Sequence, residues 1–164
     1  MRLSEWQSRS ANRESMTTKV LASATAALTL LGAEQDPDCW ISWGDDPGAR
    51  YMILAPAPAG LVVINVRVNV PGEGPRAAGK IVRWHRVSVG ELSVEIQGGH
   101  RLITFQLEGQ LLHGADEEAE EVARFVDSIF AAIDRRAAPS TSAIALPGPS
   151  SAGEAATIAS PSGQ

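Results

Sequence analysis

The run Gly74-Pro75-Arg76-Ala77-Ala78-Gly79-Lys80 has the spacing of a phosphate-cradling loop, in which glycines let backbone N–H groups close around an anion and a lysine reaches the outer phosphates. Two features argue against that chemistry. Position 81 is Ile, where a hydroxyl is needed to hold magnesium. The residues that follow, Ile-Val-Arg-Trp-His-Arg-Val, are strand-like and do not open a helix whose N-terminus faces the phosphates. The segment is expected to be a glycine-rich hairpin loop. His85, His100 and His113 lie fifteen and thirteen residues apart, without the helical or strand-spaced partner that makes a metal pair, and Cys39 is distant from them. Asp36, Asp38, Asp45 and Asp46 lack the alternating order of a calcium loop, and each adjoins a Pro or Gly, where turns favour aspartate anyway. No G-x-S-x-G elbow occurs, and the serines crowd towards the two ends. No catalytic residue, metal site or cofactor is expected.

Charge leaves one candidate. Residues 67 to 86 carry five Lys or Arg against one acid, Glu73, although the whole chain has 19 acidic and 14 basic residues and a formal charge of −5. An acidic chain has no overall attraction for nucleic acid, and none is expected as a partner. Arg67, Arg76, Lys80, Arg83 and His85 are the candidate site, for a small anionic ligand or a protein partner. The competing reading is a solvated face whose arginines relax apart. Among the four tryptophans, Trp84 is expected in the core, whereas Trp40 and Trp43 either plug one end of the domain or mark a contact surface.

These residues need elements to position them. Apolar, β-branched runs at Tyr51–Leu54, Leu61–Val70, Lys80–Val89, Glu91–Gln97 and Arg101–Leu107 are separated by Gly and Pro, which is strand punctuation. Ile64, Val66, Val68 and Val70 alternate with Asn65, Arg67 and Asn69. A hairpin with loop Pro71–Gly79 pairs Val70 with Lys80, Val68 with Val82, Val66 with Trp84 and Arg67 with Arg83. A turn near Ser88–Gly90 pairs Trp84 with Val94. The Gly98-Gly99 turn, with glycine free to take positive φ at both positions, pairs Val94 with Ile103 and Leu92 with Phe105. Each pairing preserves one apolar and one polar face, and a slip by one residue would exchange them.

A helix from Asp116 supplies the cover: acids at its start, arginines 135 and 136 at its end, and a stripe of Val122, Phe125, Val126, Ile129 and Ile133. The expected fold is α+β, an antiparallel meander of about five or six strands covered on its apolar face by this helix, with a further N-terminal helix. Residues 1–12 are expected to be a polar leader, 13–33 a helix, 34–136 the domain, and 137–164 a disordered Pro/Ser/Ala/Gly tail too poor in apolar bulk to offset its ordering entropy. Lys19–Ala33 has two readings. Val20, Ala24, Ala27, Leu28 and Leu31 recur at helical spacing up to Gly32, while translation from Met16 would make the same stretch resemble an export signal, matured near Glu34. The expected location is therefore cytoplasmic, with export as the alternative. No run is long enough for a transmembrane segment.

A meander closed by one C-terminal amphipathic helix resembles the pleckstrin-homology-like architecture, over about residues 40 to 136. That resemblance implies a domain that binds lipid headgroups, peptides or proteins, of a kind that is rarely an enzyme, with ligand contacts at the basic hairpin. The chain departs from the pattern in having no tryptophan in its C-terminal helix and in carrying a helix before the sheet. The expected function is a small non-enzymatic binding or interaction domain. An enzyme with a site invisible as a motif is the remaining alternative.

Overall fold

The stretch Leu61-Val62-Val63-Ile64 is apolar on both sides of its alternation, which demands that both faces of its strand be covered. In the computed structural model, which describes residues 1–9, 16–46 and 48–137, that strand is central, and all four of these residues are buried. The elements are α1 (Leu3–Arg9), α2 (Thr18–Leu30), β1 (Ile41–Asp46), β2 (Arg50–Ala57), β3 (Gly60–Val70), β4 (Gly74–Arg83), a 3-10 turn (Trp84–Arg86), β5 (Val89–Gln97), β6 (His100–Leu107), β7 (Gln110–Ala115) and α3 (Glu117–Ala137). They form two antiparallel sheets, β1-β2-β3-β4 and β5-β6-β7.

The larger sheet separates two cores. On one face Tyr51, Ile53, Ala55, Val62, Ile64 and Val66 pack with Leu3 of α1, with Met16, and with Val20, Ala24 and Leu28 of α2. On the other, Leu54, Leu61 and Val63 join Trp84, Ile103, Phe105, Leu107 and Leu112 around the α3 stripe of Val122, Phe125, Val126 and Ile129. Each Val, Leu, Ile, Phe or Met among them contributes roughly 1.5–3 kcal/mol when fully buried, so both helices bear on stability. The Thr17 hydroxyl caps α2 by accepting from the Val20 N–H at 3.3 Å, and Gly32, at φ +84°, ends it while Ala33 N–H returns to the Leu28 carbonyl at 3.0 Å. Acids Glu117, Glu118 and Glu120 open α3 and Arg135 and Arg136 close it, each at the favourable end of the helix dipole.

The α+β class, the meander, the N-terminal helix and the C-terminal cover agree with the sequence. So does the Gly98-Gly99 turn, at φ +61° and +88°, with Val94 opposite Ile103 and Leu92 opposite Phe105. Several particulars differ. Leu3–Arg9, expected as part of a polar leader, is helical: Leu3 is fully buried, and Asp36 accepts from the Ser4 N–H at 2.8 Å and the Ser4 hydroxyl at 2.7 Å. A seventh strand, β7, follows a Glu108-Gly109 turn. The larger correction is the β3–β4 register. Arg67 faces Arg76, not Arg83, and Leu61 faces Val82. The loop shrinks to Pro71-Gly72-Glu73 because residues 74–79 are strand. β4 is an edge strand, where Pro75 can leave its missing donor on the open side. Gly79 is needed there, since a Cβ at this position would stand 2.5 Å from the Val63 carbonyl oxygen. The shift is odd, so the faces of β4 exchange: Ala77 and Ile81 pack with the α2 core, while Val82 joins the α3 core. Nor does Trp84 pair with Val94, because the 3-10 turn separates the sheets there. The expected tail beyond Ala137 and the junction 10–15 lie outside the described residues.

Candidate functional site

In an antiparallel ladder, residues directly opposite one another share a face. Arg50 of β2 lies opposite Arg67 of β3, and Arg67 lies opposite Arg76 of β4. Three guanidinium side chains therefore stand in one row across three adjacent strands, roughly 10 Å from first to last at ordinary strand spacing. All three are exposed, and none makes a hydrogen bond or ion pair with another described residue. Asp46 ends the row opposite Arg50, beyond an irregularity in β1 between Trp43 and Asp46. Asn65, opposite Ala78, and Lys80, opposite Val63, continue the same face towards the α3 core. The small Ala78 leaves the row unobstructed on that side. Like charges directly opposite are destabilising, and the described residues supply no counter-charge for Arg67 or Arg76.

The five residues singled out from the sequence thus divide. Arg67, Arg76 and Lys80 share a face. Arg83 pairs opposite Gly60 at the other end of β4 and stands on the α2 side of the sheet, and His85 lies in the 3-10 turn. Arg50 completes the row, and the sequence reading missed it: its only signal is an Arg at the start of a β-branched run, and its place depends on register. The Gly74–Lys80 motif is strand throughout and leads into more strand, so it cradles nothing.

A concavity lies beside β1. A cavity of about 570 Å³ is lined by Trp6, Cys39, Trp40, Trp43, His113, Glu118 and Glu121, among others. Its aromatic rings are mostly committed to one another: Trp6 meets Trp40 and Tyr51 edge-on at 5.4 and 5.9 Å, and Trp43 meets His113 at 5.2 Å. The indole N–H groups are also engaged, Trp40 to the Met1 carbonyl and Trp43 to Gln110 Oε1. Trp40, just before β1, packs against the α2 core and Trp43, within β1, against the α3 core, so both close this end of the domain, while buried Trp84 donates to the Ala57 carbonyl at 3.0 Å. Burial pushes the Cys39 thiol above its ordinary pKa; the Ser128 hydroxyl and Arg124 oppose this, and Asp38 adds to it. A protonated thiol is a poor nucleophile. Among the described residues no group of three or more His, Cys, Asp or Glu is placed to hold a metal ion. No described helix is long and apolar enough to cross a membrane. Neither a protein-family model, nor a curated protein, nor a solved structure matches the chain.

Proposed function

We propose that this chain is a small non-enzymatic binding domain of the pleckstrin-homology-like kind, and that the Arg50–Arg67–Arg76 row receives the anionic groups of its ligand or partner. The order of four strands, three strands and a closing helix supports the architectural part of this reading. The single observation that carries the functional part is the row itself: three neighbouring cations in an acidic chain, of which Arg67 and Arg76 have no acidic residue opposite them and only Arg50 does, Asp46. Guanidinium groups bind phosphate and carboxylate through paired, charge-assisted hydrogen bonds. A row that crosses strands suits several anionic groups along one ligand better than a single small ion.

A thermal-shift series tests this, with inorganic pyrophosphate, a glutamate-rich peptide, and phosphatidylcholine vesicles with and without phosphatidylserine. At about a hundredfold excess over Kd, a ligand of the native state adds roughly 2.7 kcal/mol of stability. The wild-type melting temperature is expected to rise with at least one probe, and the rise to shrink as salt is added. The Arg67→Gln, Arg76→Gln double variant should lose that rise while being no less stable unliganded, because two repulsive pairs are relieved. Equal shifts in wild type and double variant, or none in either, would remove the row as the site.

A further inference from the structure

β5 pairs with β6 and with no other described strand, so one of its edges is open. Its even-numbered side chains stand on the core side of the smaller sheet, since Leu92 lies opposite Phe105 and Val94 opposite Ile103, both buried. Yet α3 does not cover them. Leu92 is 43% exposed, Val94 57% and Ile96 82%, and Phe130, packed edge-on against Phe105, is 37% exposed. Natural edge strands are usually blunted by Lys, Pro or a mid-strand bulge. From Leu92 to Gln97 this strand has no Lys, no Pro and no irregularity.

The backbone of this edge is equally regular. The two-residue Gly98-Gly99 turn makes Gln97 and His100 the hydrogen-bonded closing pair, so odd-numbered residues of β5 direct N–H and C=O to β6. Leu92, Val94 and Ile96 then direct theirs outwards. The open groups and the exposed apolar side chains belong to the same three residues.

We propose that β5 is a self-association edge, which pairs antiparallel with β5 of a second copy about a twofold axis through Val94. The strand's self-complementarity supports a second copy as the occupant, and charge selects the register. Centred on Val94, Leu92 meets Ile96, Ser93 meets Glu95 and Glu91 meets Gln97 of the second copy, so apolar meets apolar and each carboxylate meets a neutral polar group. Centred on Ser93, Glu91 would face Glu95; centred on Glu95, that residue would face itself. Both alternatives oppose like charges. The Val94 register also joins the outward-directed groups in about six backbone hydrogen bonds and makes one continuous sheet from two, an isologous contact that closes on itself. The arginine row lies on the other sheet and is left open.

The test is sedimentation velocity of the full chain across micromolar to millimolar concentration, with melting curves to confirm that each variant is folded. The wild type should reach twice the 17.3 kDa chain mass. Added salt should strengthen the association, because it screens two copies of an acidic chain from each other. Val94→Lys puts two cations on the axis and should raise the dissociation constant about tenfold or more. Ser93→Lys, on the opposite face, sets each lysine against Glu95 of the second copy and should tighten association. In a register centred on Ser93 it would weaken it. A chain that stays monomeric throughout overturns the proposal, as does a dimer indifferent to both substitutions. Association that appears only after deletion of residues 138–164 also overturns it, since the chain's own tail, which contains Ala143-Ile144-Ala145-Leu146, would then be the occupant of the edge.

Discussion

Asp116 stands at the junction of β7 and α3 with φ +50°, a conformation that Asp tolerates better than most residues. The sequence starts a helix there, and the carboxylate turns to β6. It accepts from the His100 imidazole, Nδ1 to Oδ2 at 2.7 Å, and from the Arg101 N–H at 3.2 Å, while its own N–H reaches the Arg101 carbonyl at 2.9 Å. The side chain thus ties the start of the helix to the strand beneath it. The His100 hydrogen bond, followed by that of the Arg101 N–H, holds the Asp116 carboxyl below the ordinary value of 3.8. A folded-state pKa below the unfolded one adds stability that is present above the ordinary carboxylate range and lost as pH falls through the folded value. The Asp116→Asn variant should therefore melt lower than wild type at pH 7, and its melting temperature should fall less between pH 5 and pH 3. Parallel curves for the two proteins across that interval would show that the contact does not carry this linkage.

At the scale of elements, α3 is the most legible part of the chain. Its stripe, its charge polarity and its place on the sheet all follow from spacing, and Phe125 is 1% exposed at its centre. Phe125→Asp buries an unpaired charge and should cost on the order of 3 kcal/mol or more. An unchanged denaturation midpoint would contradict the packing of α3 on both sheets. The β5–β6 hairpin was legible for a similar reason: two adjacent glycines fix a turn, and the turn fixes the register. The β3–β4 hairpin was not. Pro75, Gly74 and Gly79 look like loop residues unless one knows that the strand is at an edge and that Gly79 lies close against the β3 backbone, and that is tertiary information. The same ignorance hid the site. Arg67 and Arg76 stood out by local charge, but only the observed register makes them neighbours and adds Arg50 to them. α1 left a faint signal in Leu3 and Trp6, three residues apart among polar neighbours, and β7 left a short one in Leu111-Leu112.

For the whole molecule, the two-core arrangement bears on the export reading. A chain beginning at Glu34 would keep the α3 core but uncover Tyr51, Ile53, Ala55, Val62, Ile64 and Val66, a continuous apolar sheet face. Deletion of residues 1–33 is expected to give protein that aggregates or melts well below the full chain. A soluble deletion variant of near wild-type stability would show that α1 and α2 are dispensable and would restore the signal reading of Lys19–Ala33. Charge is distributed just as unevenly: the acidic chain sets three arginines in one row across one end of one sheet face. That unevenness is the basis for treating the domain as a binding module.

The most direct measurement is an amide-resolved NMR titration of the full chain with the anionic probe that gives the largest thermal shift. The row predicts that perturbed amides cluster at Arg50, Asn65 to Arg67 and Arg76 to Lys80, on three strands at once, and that the cluster vanishes in the Arg67→Gln, Arg76→Gln variant. Perturbations centred instead on Arg83 to Arg86, or on the Trp40–Trp43 end, would contradict the account and place the site elsewhere.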